Sequence, residues 1–290
     1  MAEPAKDLGV APGGNRIGPR DCQPRSAPAV SGIGTGLTGI SLERRDGCVC
    51  IRLARGEANA LTTSLIRELA DAVEEAGQGA RGSLLAGGGR FFSNGVDLDW
   101  ALGESRESIR EMFLELGRLI LALLEAPAPV VGAIRGHAIG AGLAMFLACD
   151  YRYAAAGRVL IGKPEILLGV PNPYYGDRLL RFVAGDFAAS DLIYSGRLIH
   201  AEKGRSLGLV HETGPKAEIE DMAWEKLLSL CDLAPAAFAE SKRMRLGRFC
   251  ADLREQMPAR VARQTELWHS DDAQTRLREA AERLRRRTAG

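Results

Sequence analysis

Residues 136–150 read GHAIGAGLAMFLACD, a glycine-spaced turn that runs into an apolar helix and ends at Cys149 and Asp150. Gly140 and Gly142 stand on either side of Ala141, at the point where the helix is expected to begin. The first peptide N–H groups of a helix have no partner inside it, and the helix dipole is positive at this end. The stretch therefore predicts a turn and helix start that favour a negatively charged oxygen.

A second turn, residues 93–96 (SNGV), follows a predicted strand and the triplet at residues 87–89 (GGG). We expect peptide N–H groups of this turn to point outward. Two such donors that converge on one oxygen form an oxyanion hole. Taken singly, neither turn indicates a function, because most glycine-rich turns are only turns.

The hydrophobic pattern predicts an α/β fold. Residues 40–43 and 48–53 alternate as two strands around a turn, and short apolar runs at 82–86, 130–134, 151–154 and 159–161 predict further strands. Apolar residues at helical spacing predict helices from Leu65 to a stop at Gly77 and from Ile109 to Leu124. Strands that repeatedly lead into helices favour ββα units.

We predict three regions along the chain. Residues 1–39 are rich in Gly, Pro, Ala and Ser and lack a hydrophobic period, so we expect a flexible N-terminal extension. Residues 40–190 form the predicted ββα core with the functional site, and residues 191–290 form a mostly helical C-terminal region.

Composition excludes several classes of function. The chain has 290 residues, and its 38 basic residues nearly balance 37 acidic residues, so no charge pattern for a nucleic acid or membrane partner is present. We find no secretory signal and no apolar run long enough to span a bilayer. The six cysteines lack metal-ligand spacing, which predicts no metal site and reduced, buried thiols in a cytoplasmic protein.

Three segments in this order resemble the crotonase (enoyl-CoA hydratase/isomerase) superfamily. They are residues 91–98 (FFSNGVDL), 136–145 (GHAIGAGLAM) and 163–169 (KPEILLG). The resemblance covers roughly residues 40–210. It implies a spiral of repeated ββα units, a C-terminal helical oligomerisation region and a homotrimer or hexamer. It also implies an acyl-CoA thioester substrate, with no permanently bound cofactor and coenzyme A present only as part of the substrate.

The resemblance assigns the site residue by residue. Val96 and Ala141 take the positions of the two oxyanion N–H donors, and Glu165 takes the position of a catalytic glutamate. Hydratases of the family use a second glutamate, at the position where this chain has Ala144. The segment at residues 56–61 (GEANAL) resembles the family's adenine pocket. Coenzyme A binding is therefore expected at Ala58, Ala60, Asn94, Asp97 and Leu98.

A single glutamate favours an isomerase over a hydratase. Apolar neighbours surround Glu165 in the sequence and disfavour its charged form, which suits a general base. The family's Δ3,Δ2-enoyl-CoA isomerases resemble this chain in that arrangement, in the run from Phe92 to Trp100 and in residues 172–174 (NPY). The resemblance therefore implies transfer of a proton from C2 to C4 of a 3-enoyl-CoA.

The sequence leaves two alternative functions open. One is a hydratase-like or hydrolytic enzyme that recruits another side chain, such as Asp97 or Tyr174. The other is a non-catalytic acyl-CoA-binding member of the fold, since a fold does not determine a function. His137 is expected to have a structural role.

Overall fold

The computed structural model describes residues 39–288, so the predicted N-terminal extension lies outside the described residues except for Gly39. Within that part of the chain, strands and helices alternate up to α5 and helices predominate after it. The strands are β1 (Ile40–Arg45), β2 (Cys48–Leu53), β3 (Ser83–Gly87), β4 (Phe91–Ser93), β5 (Val130–Ile134), β6 (His137–Ile139), β7 (Tyr151–Ala155), β8 (Leu160–Gly162), β9 (Leu198–His200) and β10 (Glu212–Gly214). The helices are α1 (Thr63–Gly79), α2 (Leu98–Ala101), α3 (Arg106–Glu125), α4 (Ala141–Leu147), α5 (Tyr174–Ser195), α6 (Ala201–Ser206), α7 (Ile219–Cys231), α8 (Pro235–Trp268) and α9 (Asp271–Thr288), with a 3-10 helix at Pro164–Leu168.

The strands form two sheets. The larger sheet has the order β1-β2-β3-β5-β7-β10, in which β1 is antiparallel to β2 and the other pairs are parallel. The smaller sheet has the order β4-β6-β8-β9, in which only β8 and β9 are antiparallel. Each of the pairs β3–β4, β5–β6 and β7–β8 places one strand in each sheet before a helix follows. This arrangement confirms the predicted spiral of ββα units.

Central strands of the larger sheet are buried on both faces. In β3, Leu84 and Ala86 belong to a cluster with Trp224 of α7, whereas Leu85 belongs to the main core with Ile66 of α1. Successive side chains of a strand point to opposite faces, so helices must cover both sides of this sheet. That requirement explains why β5 (VVGAI) and residues 84–87 of β3 (LLAG) carry no polar side chain.

The starts of α1 and α3 follow capping signals in the sequence, whereas the end of α1 does not follow its predicted signal. The Thr62 hydroxyl accepts a hydrogen bond from the Leu65 N–H at the start of α1, and the Ser105 hydroxyl accepts one from Ser108 at the start of α3. The predicted stop at Gly77 is wrong, because α1 continues to Gly79. A glycine ends a helix where it adopts a left-handed conformation, and Gly77 does not have a positive φ.

The C-terminal half is helical as predicted but also returns to both sheets. β9 pairs with β8 and β10 pairs with β7, and neither short strand is predicted from the hydrophobic pattern. The regional boundary placed at residue 190 falls inside α5. Across residues 39–288, no helix combines the length and apolar character that a bilayer crossing requires. Five cysteines of this part of the chain are free thiols: Cys48, Cys50, Cys149, Cys231 and Cys250.

Candidate active site

A cavity of about 250 Å³ lies where the two glycine turns, the 3-10 helix and the last two helices meet. Most of its lining is apolar. The lining residues are Asn94, Gly95, Val96, Leu98, Phe113, Leu116, Ile139, Gly140, Ala141, Pro164, Glu165, Leu168, Val170, Pro173, Tyr175, Gln264, Trp268, Ala280, Arg283 and Leu284. A concave apolar pocket with a few polar groups is typical of a small-molecule site.

The first predicted donor, the Val96 N–H, is directed by pairing with Leu61. Leu61 donates to the Gly95 carbonyl at 2.8 Å and accepts from the Asp97 N–H at 2.9 Å. The peptide groups of Val96 itself therefore point to the opposite side of this short parallel bridge. Val96 lines the cavity, so its N–H, which the pairing with Leu61 does not use, belongs to the cavity wall.

The second predicted donor, the Ala141 N–H, opens α4. Ala141 is the first residue of the helix, so its N–H has no acceptor within the helix. The residue does not have a positive φ, which explains how alanine replaces glycine here without strain.

Two glycines bring the turns together. A methyl group on Gly95, whose φ is 83°, would lie 3.6 Å from the Ala141 nitrogen. A methyl group on Gly142 would lie only 2.5 Å from the Ser93 carbonyl oxygen, so a side chain there would separate the turns. The structure thus places Val96 and Ala141 side by side in one wall of the cavity.

Ala144 contributes no chemical group to the cavity. It is 1% exposed, packs in the main core and is not a lining residue. Its N–H donates to the Gly140 carbonyl at 3.2 Å, as expected inside a helix. Among the described residues, Glu165 is the only carboxylate that lines the cavity.

Glu165 is the second residue of the 3-10 helix, and its side chain is 13% exposed. A methyl group on Gly140 would lie 3.6 Å from Glu165 Oε1, which places the carboxylate beside residues 140–142, the predicted oxyanion turn. Its other oxygen, Oε2, is buried without a hydrogen-bond partner in the described part of the chain. The structure therefore brings the three predicted catalytic residues, Val96, Ala141 and Glu165, into one site.

The surroundings of Glu165 differ from the sequence prediction in one respect. Instead of a wholly apolar setting, a buried ammonium group lies beside it, because Lys163 Nζ is 2.6 Å from Glu165 Oε1. The Lys163 side chain is 1% exposed and also donates to the Gly140 carbonyl at 3.0 Å. A lysine directly after an apolar strand and two residues before the glutamate is the only sequence signal for this contact.

Tyr175 is a second residue that the sequence does not single out. It lines the cavity, is 1% exposed, and its hydroxyl has no partner among the described residues. Burial and the negative charge of Glu165 raise the pKa of Tyr175 well above its ordinary value. Its hydroxyl therefore stays protonated, so it can donate or accept a hydrogen bond but does not act as a base.

Asp97 and Tyr174, the side chains considered for a hydratase-like or hydrolytic enzyme, do not line the cavity. The Tyr174 hydroxyl donates to Asp252 at 2.9 Å, and Tyr174 is not a lining residue. Asp97 accepts from the Trp100 N–H at the start of α2 and lies 3.6 Å from an Arg55 nitrogen. The structure contradicts a direct role for either side chain in the cavity.

The predicted coenzyme A residues fall into two groups. Asn94 and Leu98 line the cavity, whereas Ala58, Ala60 and Asp97 do not. Ala58 and Ala60 flank Asn59, which is fully buried at a φ of 43°. Asn59 donates to the carbonyl oxygens of Gly88 and Phe91 and accepts from the Arg55 N–H, so its amide fixes the shape of this loop.

The far wall of the cavity comes from helices distant in sequence. Phe113 and Leu116 belong to α3, and Trp268 ends α8 with its ring 5.7 Å from that of Phe113. The buried Gln264 lies one helical turn before Trp268, and α9 adds Ala280, Arg283 and Leu284. His137 lies outside the cavity and accepts a hydrogen bond from the Leu160 N–H, which agrees with the expected structural role.

Comparisons with known proteins agree with this geometry. A family model described as enoyl-CoA hydratase/isomerase matches residues 43–287. A Bacillus subtilis (strain 168) protein named "Probable enoyl-CoA hydratase" is 32% identical over 207 residues, or 70% of this chain and 77% of the relative. An Arabidopsis thaliana protein named "Enoyl-CoA delta isomerase 3" is 30% identical over 177 residues, or 59% of this chain and 74% of the relative.

The solved structures include the human mitochondrial delta3-delta2-enoyl-CoA isomerase, with a TM-score of 0.82 and 24% identity. That similarity covers 86% of this chain and 99% of the human chain, and it concerns the fold. Hydratase and isomerase names thus both occur among similar proteins. The family model spans most of the chain and includes both turns and Glu165, so the chain belongs to the enoyl-CoA hydratase/isomerase family, the crotonase superfamily, whose members act on acyl-CoA thioesters.

Proposed function

We propose that the protein moves the double bond of a 3-enoyl-CoA from C3–C4 to C2–C3. The observation that carries this proposal is that Glu165 is the only carboxylate of the described residues in a cavity that Val96 and Ala141 also line, with Ala144 where a second glutamate would stand. Hydration needs a group that activates water in addition to a proton donor. Isomerisation needs only one base that accepts and returns the same proton.

In the proposed reaction the N–H groups of Val96 and Ala141 hold the thioester oxygen. Glu165 takes a proton from C2, so the C2–H bond breaks and the electron pair spreads over a dienolate whose oxygen stays in the oxyanion hole. Glu165 then returns the proton to C4. The new C4–H bond forms as the double bond settles between C2 and C3, and the carboxylate is regenerated.

We place the rest of the substrate by the same geometry. The acyl chain extends toward Phe113, Leu116 and Trp268, and the coenzyme A part extends past Asn94 and Leu98 toward Ala58, Ala60 and Asp97. Coenzyme A enters as part of the substrate, and we propose no permanently bound cofactor. A homotrimer or hexamer in the cytoplasm is proposed from the family resemblance.

A second candidate is hydration of a 2-enoyl-CoA with Tyr175 as the second polar group. The unpartnered Tyr175 hydroxyl in the cavity wall favours it, because it can hold a water molecule by a hydrogen bond while Glu165 takes a proton from that water and returns it to C2 as the oxygen adds to C3. Tyr175 takes the place of Asp97 and Tyr174, whose side chains do not line the cavity. It predicts that crotonyl-CoA hydration falls strongly in Tyr175→Phe.

The test is a direct assay of trans-3-hexenoyl-CoA, followed through the absorbance of the conjugated product. We expect wild-type protein to form trans-2-hexenoyl-CoA and Glu165→Gln to lose kcat by about 10²- to 10⁴-fold, the usual contribution of a general base. Binding of coenzyme A thioesters should be retained. Glu240→Gln, at an exposed glutamate of α8, is the matched control and should keep wild-type kcat.

Three outcomes would contradict parts of the proposal. Full isomerisation by Glu165→Gln would rule out Glu165 as the base. Crotonyl-CoA hydration as fast as isomerisation would favour the second candidate. Tight thioester binding without turnover of any enoyl-CoA would identify a non-catalytic acyl-CoA-binding protein.

A further inference from the structure

We propose that Lys163 is a positioning residue that holds the base and the oxyanion turn in one arrangement; this inference rests on the proposed function. Its Nζ lies 2.6 Å from Glu165 Oε1 and 3.0 Å from the Gly140 carbonyl oxygen. The first acceptor belongs to the proposed base, and the second belongs to the turn that carries a proposed oxyanion donor. One ammonium group therefore links the carboxylate to the turn that presents the Ala141 N–H.

The contact with Gly140 helps to fix the direction of the Ala141 N–H. The Gly140 carbonyl and the Ala141 N–H belong to the same planar trans peptide, so they point in opposite directions. Holding the carbonyl oxygen on the Lys163 side turns the N–H toward the cavity. Gly140 has a φ of 58° and a ψ of −118°, a conformation that essentially only glycine adopts. Its carbonyl also accepts the Ala144 N–H at 3.2 Å, and the ammonium group of Lys163 adds a second, charge-assisted contact to the same oxygen.

The contact with Glu165 controls the position of the base. Lys163 and Glu165 are separated only by Pro164, whose ring restricts the backbone between them. Because Oε1 is held by the ammonium group, rotation of the carboxylate away from the oxyanion turn would break a charge-assisted hydrogen bond. The carboxylate is thus kept beside the N–H donors instead of swinging freely.

The space around the ammonium group is shaped to receive it. A methyl group on Gly176 would lie 3.0 Å from Lys163 Nζ and 2.8 Å from the Asn172 Oδ1 atom. A side chain at position 176 would therefore press directly on the ammonium group. The glycine and the burial of Lys163 together indicate a fixed location and not a solvent-exposed lysine that happens to be close.

The charge of Lys163 has two opposing effects on the rate. Before proton transfer it stabilises the Glu165 carboxylate, and after transfer it remains near the negatively charged dienolate. Because these effects oppose each other, we expect the net contribution to come mainly from geometry. A misplacement of about 1 Å at a reacting group can cost about 100-fold in rate.

The test compares Lys163→Met with Lys242→Met. Lys242 is the matched control, because its side chain is also buried and its Nζ pairs with Asp150 at 2.8 Å and donates to the Leu123 carbonyl, away from the cavity. Lys163→Met should lower kcat for 3-hexenoyl-CoA by about 10- to 100-fold while KM changes little. Lys242→Met should lose stability but keep kcat and KM near wild type.

A second readout does not depend on turnover. Acetoacetyl-CoA forms an enolate with its own ultraviolet absorption, and the N–H donors of an oxyanion hole should favour that form on binding. We expect Lys163→Met to bind acetoacetyl-CoA with a much weaker enolate band than wild type or Lys242→Met. If wild-type protein fails to isomerise 3-enoyl-CoA but gives this band, the proposed function fails while the role of Lys163 at the oxyanion turn is still tested.

The inference is overturned if Lys163→Met keeps both kcat and the enolate band within about twofold of wild type. Equal losses of kcat in Lys163→Met and Lys242→Met would overturn it too, because the effect would then be only structural. If Lys163→Met does not fold, Gly176→Ala takes its place, since alanine suits a helix and displaces the ammonium group without removing it. Unchanged kcat and enolate band in Gly176→Ala would then count against the inference.

Discussion

At the scale of single residues, the proposed oxyanion hole depends on main-chain N–H groups that a side-chain substitution does not remove. Ala141 is exceptional because it is the first residue of α4. Proline is tolerated at the first position of a helix, since the N–H it lacks has no intrahelical acceptor and its fixed φ suits the helix. One donor can therefore be deleted while the helix is retained.

Ala141→Pro should lower kcat for 3-hexenoyl-CoA by about 10²- to 10³-fold, the usual cost of losing one oxyanion donor. The free energy of unfolding should change little. Arg106→Pro is the matched control, because Arg106 is the exposed first residue of α3 and lies outside the cavity. A variant with normal stability and normal kcat would contradict the role of the Ala141 N–H.

Single residues also show what the sequence can predict of the site. Val96, Ala141 and Glu165 stand in local motifs, and the structure brings them together as expected. The contact of Lys163 with Gly140 spans 23 positions and depends on pairing between β6 and β8. No local pattern specifies that pairing, so this part of the site follows only from the fold.

At the scale of elements, the far wall of the cavity is built by helices that return from the end of the chain. The apolar stripe of α9, with Ala273 and Leu277, predicts that one face is buried. It does not predict which surface covers that face. In the structure α9 packs on the 3-10 helix and on α2, and α8 brings Trp268 against Phe113. This wall of the cavity, the proposed acyl pocket, therefore could not be predicted from periodicity.

Trp268→Ala should shift the preference toward longer acyl chains, because removal of the indole ring extends the cavity beyond Phe113. The measurement is the ratio of kcat/KM for 3-dodecenoyl-CoA to that for 3-hexenoyl-CoA, which should rise. Loss of a buried tryptophan also costs about 3–5 kcal/mol of stability. Trp224 of α7 belongs to a separate hydrophobic cluster, so Trp224→Ala controls for that loss and should leave the ratio unchanged. Equal ratios in the two variants would contradict the assigned wall.

At the scale of the whole molecule, a buried arginine connects the larger sheet to the C-terminal half of the chain. Arg152 of β7 donates to the carbonyl oxygens of Cys149, Gly208 and Leu209, and its N–H donates to the His211 Nδ1 atom. Burial and the positive charge of Arg152 lower the pKa of His211 to about 4. The folded protein therefore holds His211 in its neutral form.

This arrangement predicts a pH dependence of stability. Between about pH 6.5 and pH 4 the unfolded chain binds a proton at His211 that the folded protein does not bind, so stability falls as the pH falls through that window. Urea unfolding at a series of pH values gives the free energy of unfolding as a function of pH. Within the window, the slope of that free energy against pH should be smaller in His211→Gln than in wild type. Above about pH 6.5 the slopes of the two proteins should coincide. Identical slopes throughout would contradict a neutral His211.

The central claim, a proton shuttled by Glu165 alone, is tested most directly by 3-hexenoyl-CoA that carries deuterium at both C2 positions. We predict that in ordinary water the trans-2-hexenoyl-CoA product retains part of that deuterium at C4, because one buried carboxylate accepts and returns the same atom. Mass spectrometry and NMR of the product locate the label. A 3-hydroxyacyl-CoA as the main product, or a 2-enoyl product with no deuterium at C4, would contradict the claim.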